Sequence, residues 1–144
     1  INKIGSTSIA NSFTPLTSND PNNEQIRSLI DKWLRTKSNV LSGADSQDFS
    51  KFVRPKLANR VFEERKKDKA LDEKQIINAS ISSLKIISKT SKRIAANVEL
   101  SYKDQRINSK GEIVSETVIP SLKVRYILGR DKDIWRLVEY ISGI

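Results

Sequence analysis

Cysteine, histidine and methionine are all absent from the 144 residues. Without a thiolate or an imidazole there is no disulfide framework, no Cys/His zinc site, no cysteine nucleophile, no serine–histidine triad and no imidazole acid or base. Glycine is scarce, at 5 residues, and no Gly-rich phosphate loop is among them. No dense acidic cluster of metal-binding type occurs either, so the sequence asks for no cofactor and no metal. Apolar runs stay well short of the ~18 residues of a membrane span. The opening INKIGSTSIANSF lacks the basic end and apolar middle of a signal peptide. A start at Ile1 reads as a piece of a longer or processed protein, whose other part would hold any anchor or address. Hydrophobic residues make up 37%, below the usual ~45–50% but enough for one core, and the length fits one domain plus a tail.

What is abundant is positive charge. Lys and Arg number 26 against 17 Asp and Glu, a balance of +9 with a pI near 9.9. Such a field attracts nucleic acid, anionic lipid or acidic protein. It also serves as a plain solubility surface, for which small domains carry net charges of ~2–8. The many Ile, Lys, Asn and Ser residues match an AT-rich genome, which inflates Lys without selection for binding. Charge alone therefore names no partner.

Residues 1–22 are rich in Ser, Thr, Asn and Pro, with apolar residues at neither helical nor strand spacing, and read as a flexible linker or tail. Residues 23–144 form a single α+β domain. Ile26, Leu29, Ile30, Trp33, Leu34, Val40 and Leu41 mark one stripe of a helix over 24–41, stopped by Gly43. Two short helices, 46–54 and 55–67, follow from the Phe49, Phe52, Val53 and Leu57, Val61, Phe62 clusters, with Pro55 opening the second. The period then changes to two. Ile77, Ala79 and Ile81 shift phase to Leu84 and Ile86, which predicts a bulge near Ser82-Ser83. Ile94 to Tyr102 alternate cleanly, a turn at 108–111 leads into a third strand over 112–128, and Gly129 to Asp133 precede a closing strand. Pro120 cannot donate to a ladder and belongs at a bulge or an edge.

The expected fold is therefore α+β: N-terminal helices packed in a curved, mainly antiparallel sheet of about four strands, shaped as a cone. This is the architecture of nuclear-transport-factor-two-like domains, which host enzymes, carriers and interaction modules. Three stretches narrow it. IRSLIDKWLRTKSNV at 26–40, DFSKFVRPKLANRVFEERKKD at 48–68 and WRLVEYI at 135–141 resemble the C-terminal domain of the chloroplast division protein of the inner envelope and of its cyanobacterial homologues. Trp33 fits that family's central helix tryptophan, and Trp135-Arg136-Leu137-Val138-Glu139 fits its closing strand. The resemblance covers about residues 24–142 and implies an extracytoplasmic, protein-binding head of a membrane-anchored cell-division protein, with residues 1–22 as the linker.

The residue types leave three functional classes open. A non-catalytic protein-interaction domain fits best, since Tyr and Arg dominate interface hot spots. Its binding residues are expected to be Lys123, Arg125 and Arg136 for an acidic or C-terminal peptide, with Tyr126 or Tyr140 as apolar anchor. A nucleic-acid or other anionic-ligand module is the alternative, resting on Lys85, Lys89, Lys92 and Arg93 but lacking exposed aromatics for base stacking. A small cone-fold isomerase or hydrolase-like enzyme needs an inward carboxylate, for which Glu139 shares the phase of Trp135, Leu137 and Ile141; an ion pair to Arg125 or Arg136 is the structural account of the same residue.

Overall fold

The computed structural model describes residues 13–44 and 47–144. Helix α1 (Asn23–Leu41) starts on a capping box: the Asn22 side chain accepts from the Gln25 amide, and the Gln25 side chain accepts from the Asn22 amide. Its buried stripe is Ile26, Leu29, Ile30, Trp33, Thr36, Val40 and Leu41, as the spacing required. Gly43 stops it at φ 93°, a left-handed position that costs glycine nothing.

The predicted helix over 46–54 is absent among its described residues. Phe49, Phe52 and Val53 are all buried, but they form a single turn in which the Phe52 and Val53 amides donate to the Phe49 carbonyl. The chain then runs beside the last strand. The Leu137 amide donates to Phe52, and the Arg54 amide to Leu137. Helical spacing thus came from one turn, while the remaining backbone groups found partners on a sheet edge. Helix α2 (Pro55–Ala70) opens on its proline as expected and continues past residue 67.

Four strands follow: β1 (Glu73–Lys89), β2 (Arg93–Asn108), β3 (Ile113–Asp131) and β4 (Ile134–Ser142). They form one antiparallel sheet in the order β1-β2-β3-β4. Its register slips between Ile81 and Ser83, the bulge expected from the phase change, and again between Ile86 and Ser88. Pro120 lies at a third slip, where Ile119 faces Tyr102 and Leu122 faces Leu100. Because β4 reaches only Val124 along β3, Pro120 is also locally at an edge. Each bulge increases twist and bends the sheet around α1. The concave face carries Ile94, Ala96, Val98 and Leu100 of β2 and Val124, Tyr126 and Leu128 of β3; with Trp135 and Leu137 of β4, all are buried.

Residues 13–22, assigned by composition to the tail, lie against this domain; residues 1–12 fall outside the described residues. Phe13 sits edge-on to Phe52 at 5.2 Å, and Leu16 is buried. Trp135 donates its backbone amide to the Leu16 carbonyl and its indole N–H to the Ser18 carbonyl, both at 2.9 Å. An isolated Phe and Leu in polar surroundings carry no periodicity, so this strap was invisible to pattern reading.

Candidate functional site

Trp33, in mid-stripe on α1, is buried against Phe49 and Tyr140. Lys37, one turn further, shares its side of the helix. There the sheet and α1 part around a cavity of about 280 Å³, walled by Leu100, Leu122, Val124 and Tyr126 and bounded by Trp33, Lys37 and Tyr140. Tyr140 lies 5.9 Å from Trp33 and 6.0 Å from Tyr126, ring to ring. The Lys37 ammonium stands 5.2 Å from the Tyr140 ring and 5.5 Å from the Trp33 ring, and it donates to the Tyr140 hydroxyl at 3.3 Å. No carboxylate pairs with Lys37 among the described residues.

A second groove, of about 450 Å³, shares Trp33, Lys37 and Tyr140 and runs along α2 past Lys56, Arg60 and Lys67, with Glu63 and Glu64 also at its wall. The two concavities meet at Lys37 and Tyr140. One is apolar and the other mainly cationic. At the far wall the Tyr102 hydroxyl donates to Asp104 at 2.5 Å. Burial, and then that carboxylate, pushes the Tyr102 phenol well above its ordinary range; burial does the same to Tyr126, with Tyr140 adding to it. Both phenols stay protonated at neutral pH.

The five residues expected to bind a partner do not converge. Tyr126 and Tyr140 lie on the concave side, Tyr126 as buried wall and Tyr140 as half-buried rim. Lys123 and Arg125 alternate with the inward Leu122, Val124 and Tyr126 and so project from the convex face, where Arg125 donates to Asn97 at 2.9 Å. Arg136 is at the other end of β4, donating to the Ser50 carbonyl at 2.7 Å and standing 3.8 Å from Asp131. A strand's two faces cannot serve one peptide.

Glu139 is not the inward carboxylate that its phase implied. Ile127 faces Glu139 while Leu128 faces Leu137, so Val138 is an extra residue and the side chains change faces beyond it. Tyr140 turns inward and Glu139 is exposed. No Asp or Glu lines the 280 Å³ cavity. Among the described residues no group of acidic side chains is arranged to hold a metal ion.

Sequence reading missed two features. Lys37 had one legible signal, its position four residues after Trp33 on the same side of α1. The other is a polar lock between α2 and the sheet, in which buried Asp68 accepts from Gln75 at 2.8 Å and from Arg106 at 2.5 Å. The Asp68 hydrogen bond raises the Arg106 pKa further, against the cost of burial. Its members lie 38 residues apart in the chain and have no local signature.

No helix among the described residues is long and apolar enough to cross a membrane. The chain is similar in structure to the intermembrane space region of chloroplast protein ARC6, with a TM-score of 0.68 at 12% identity, covering 85% of this chain and 97% of that one. An uncharacterized protein with a cystatin-like fold from Caulobacter vibrioides gives a TM-score of 0.53 at 13% identity, over 84% and 87% of the two chains. At such identities these likenesses establish the fold, an α+β cone of the cystatin-like kind. No curated protein matches the chain in sequence. The family model described as the ARC6-like IMS domain matches residues 27–138, from the first turns of α1 to the bulge of β4, and the chain therefore belongs to the ARC6-like family as its IMS domain.

Proposed function

We propose that this domain is a non-catalytic protein-interaction module, the extracytoplasmic head of a membrane-anchored cell-division or assembly protein of a cyanobacterium or plastid. Its ligand is an acidic peptide with a free C-terminal carboxylate. Membership of the ARC6-like IMS family supports the setting. The observation that carries the ligand class is Lys37, a cation held by two aromatic rings at the rim of an apolar cavity and unpaired with any carboxylate among the described residues. A terminal apolar side chain enters the cavity, its carboxylate meets Lys37, and preceding acidic residues follow Lys56, Arg60 and Lys67 along α2. The tyrosines singled out from sequence keep their part, Tyr140 as rim and Tyr126 as wall, while the cation comes from α1 rather than from the sheet.

The test is a display library of acidic hexapeptides with free C-termini, followed by titration of the best binder and of its C-terminal amide. A charge-assisted contact of ~1.5–3 kcal/mol corresponds to about ten-fold or more in Kd, so both amidation and Lys37→Gln are expected to weaken binding by at least that factor. Equal binding by acid and amide, or by wild type and Lys37→Gln, rejects the reading. Salt-sensitive capture of single-stranded nucleic acid in place of peptide would favour the anionic-ligand alternative.

A further inference from the structure

The β1–β2 turn and the β3–β4 turn lie side by side at one end of the sheet. The Arg130 amide donates to the Lys92 carbonyl at 3.0 Å, and Arg93 faces Gly129 across the strands. Lys92, Arg93, Arg130 and Lys132 are therefore gathered on two adjacent hairpin tips. The β2–β3 turn is at the other end of the sheet, about 50 Å away along β2.

Most acids near these tips are already paired. Asp20 meets Lys89 at 2.7 Å, and Asp131 meets Arg54 at 2.8 Å and Arg136 at 3.8 Å. None of the four tip cations has a carboxylate within ion-pair distance among the described residues. Lys92, Arg93 and Lys132 are exposed, whereas Arg130 lies over the Trp135 ring at 5.9 Å and donates to Asn19 at 2.7 Å. The first turn is fixed by Thr90, whose hydroxyl accepts from the Lys92 and Arg93 amides, so neither of those side chains is needed to close it. The second places Lys132 at φ 60°, a left-handed position that glycine fills at lower cost. What Lys132 contributes there is its charge, not the turn.

We propose that this end of the cone rests on an anionic bilayer surface, with Lys92, Arg93 and Lys132 at the lipid headgroups and the cavity mouth directed away. The orientation rests on the reading above of a membrane-anchored head; the charge pattern stands without it. The strap crosses the sheet at this end, held at Trp135, Arg130 and Lys89, so the segment read as a linker joins the domain beside the tips. Tyr140, at the mouth, is about 25 Å from Lys132 along β4. Nucleic acid is the poorer occupant, because Trp135, the ring between the tips, is fully buried and offers bases no stacking surface. A bilayer asks only for exposed positive charge at its surface. Each such cation is worth about five-fold in partitioning, or ~1 kcal/mol. Three make a weak contact, which suffices when an anchor in the same membrane raises the effective concentration.

The test is co-sedimentation of the domain, without any anchor, with vesicles of phosphatidylcholine containing about 30% phosphatidylglycerol, at low salt and millimolar lipid. Binding is expected to these vesicles and not to phosphatidylcholine alone, and is expected to be screened by about 0.3 M salt. Lys92→Gln, Arg93→Gln and Lys132→Gln together are expected to weaken partitioning by about 100-fold. Lys132→Gly alone is expected to weaken it by about five-fold while leaving the melting temperature unchanged or raised, since glycine suits the turn. The absence of cysteine allows an environment-sensitive fluorophore at one exposed site: Ser91→Cys, between the tips, is expected to give a blue shift on anionic vesicles, and Ser109→Cys, at the far end, none. Lys37→Gln is expected to bind vesicles as the wild type does, so failure of the peptide reading leaves this result standing. Equal binding to both kinds of vesicle, an undiminished triple variant or equal spectral shifts at 91 and 109 overturns the proposal. So does binding of a single-stranded oligonucleotide, but not of vesicles, through the same three cations.

Discussion

Tyr126 is a polar residue used as a wall. Its ring is 2% exposed, and burial raises the phenol pKa because the phenolate would lose its water. The sign of the consequence follows from linkage. The folded chain keeps a proton that the unfolded chain releases near pH 10, so this contribution to stability is fully present below that pH and is lost as pH rises above it. The urea midpoint is expected to fall between about pH 9 and pH 11.5, and to fall less steeply in Tyr126→Phe, while the two proteins match near neutrality. Equal alkaline slopes would remove Tyr126 as a cause. The inward position of Tyr126 was legible from its alternation with Lys123 and Arg125. That of Tyr140 was not, because the extra residue Val138 reverses the faces of β4, and nothing in WRLVEYI marks a bulge.

Among elements, α1 and the long hairpins were readable because each carries its own periodicity. Trp33 and Lys37 fall on one side of α1 for the same reason. The strap at 13–22 and the turn at 49–53 were not readable, since their conformations are held by partners distant in sequence: Trp135 and Lys89 for the first, Leu137 for the second. The strap has a measurable worth. Burial of Leu16 contributes ~1.5–3 kcal/mol, and its hydrogen bonds to Trp135 about 1 kcal/mol each. A chain beginning at Pro21, which keeps the Asn22 cap of α1, is expected to be less stable by about 3–5 kcal/mol than one beginning at Phe13, measured by urea unfolding. Equal stability would make the strap a mere overlay. Pro120 shows the opposite case, an element feature that stereochemistry alone placed at a bulge and edge.

For the whole molecule, the missing residue types set the pH response. With neither histidine nor cysteine, no side chain ordinarily titrates between the carboxylates and the phenols and amines. Stability is therefore expected to be flat between about pH 6 and pH 9, and a transition inside that window would require a strongly displaced carboxylate or lysine. The same absences rule out most catalytic chemistry, the order of periods leads to the fold class, and the stretches around the two tryptophans carry the resemblance to the family. These are properties of local sequence, since a stripe, an alternation or a turn is specified within a few residues. The site is of another kind. Which cation reaches the cavity, which strand face the tyrosines share and which stretch of edge stays open all depend on register, and register is set by bulges and cross-strand contacts between residues far apart in the chain. So the sequence by itself determined that this is a basic α+β cone without thiol or imidazole chemistry, and only the tertiary structure decided that Lys37, rather than Arg125 or Arg136, stands at its mouth.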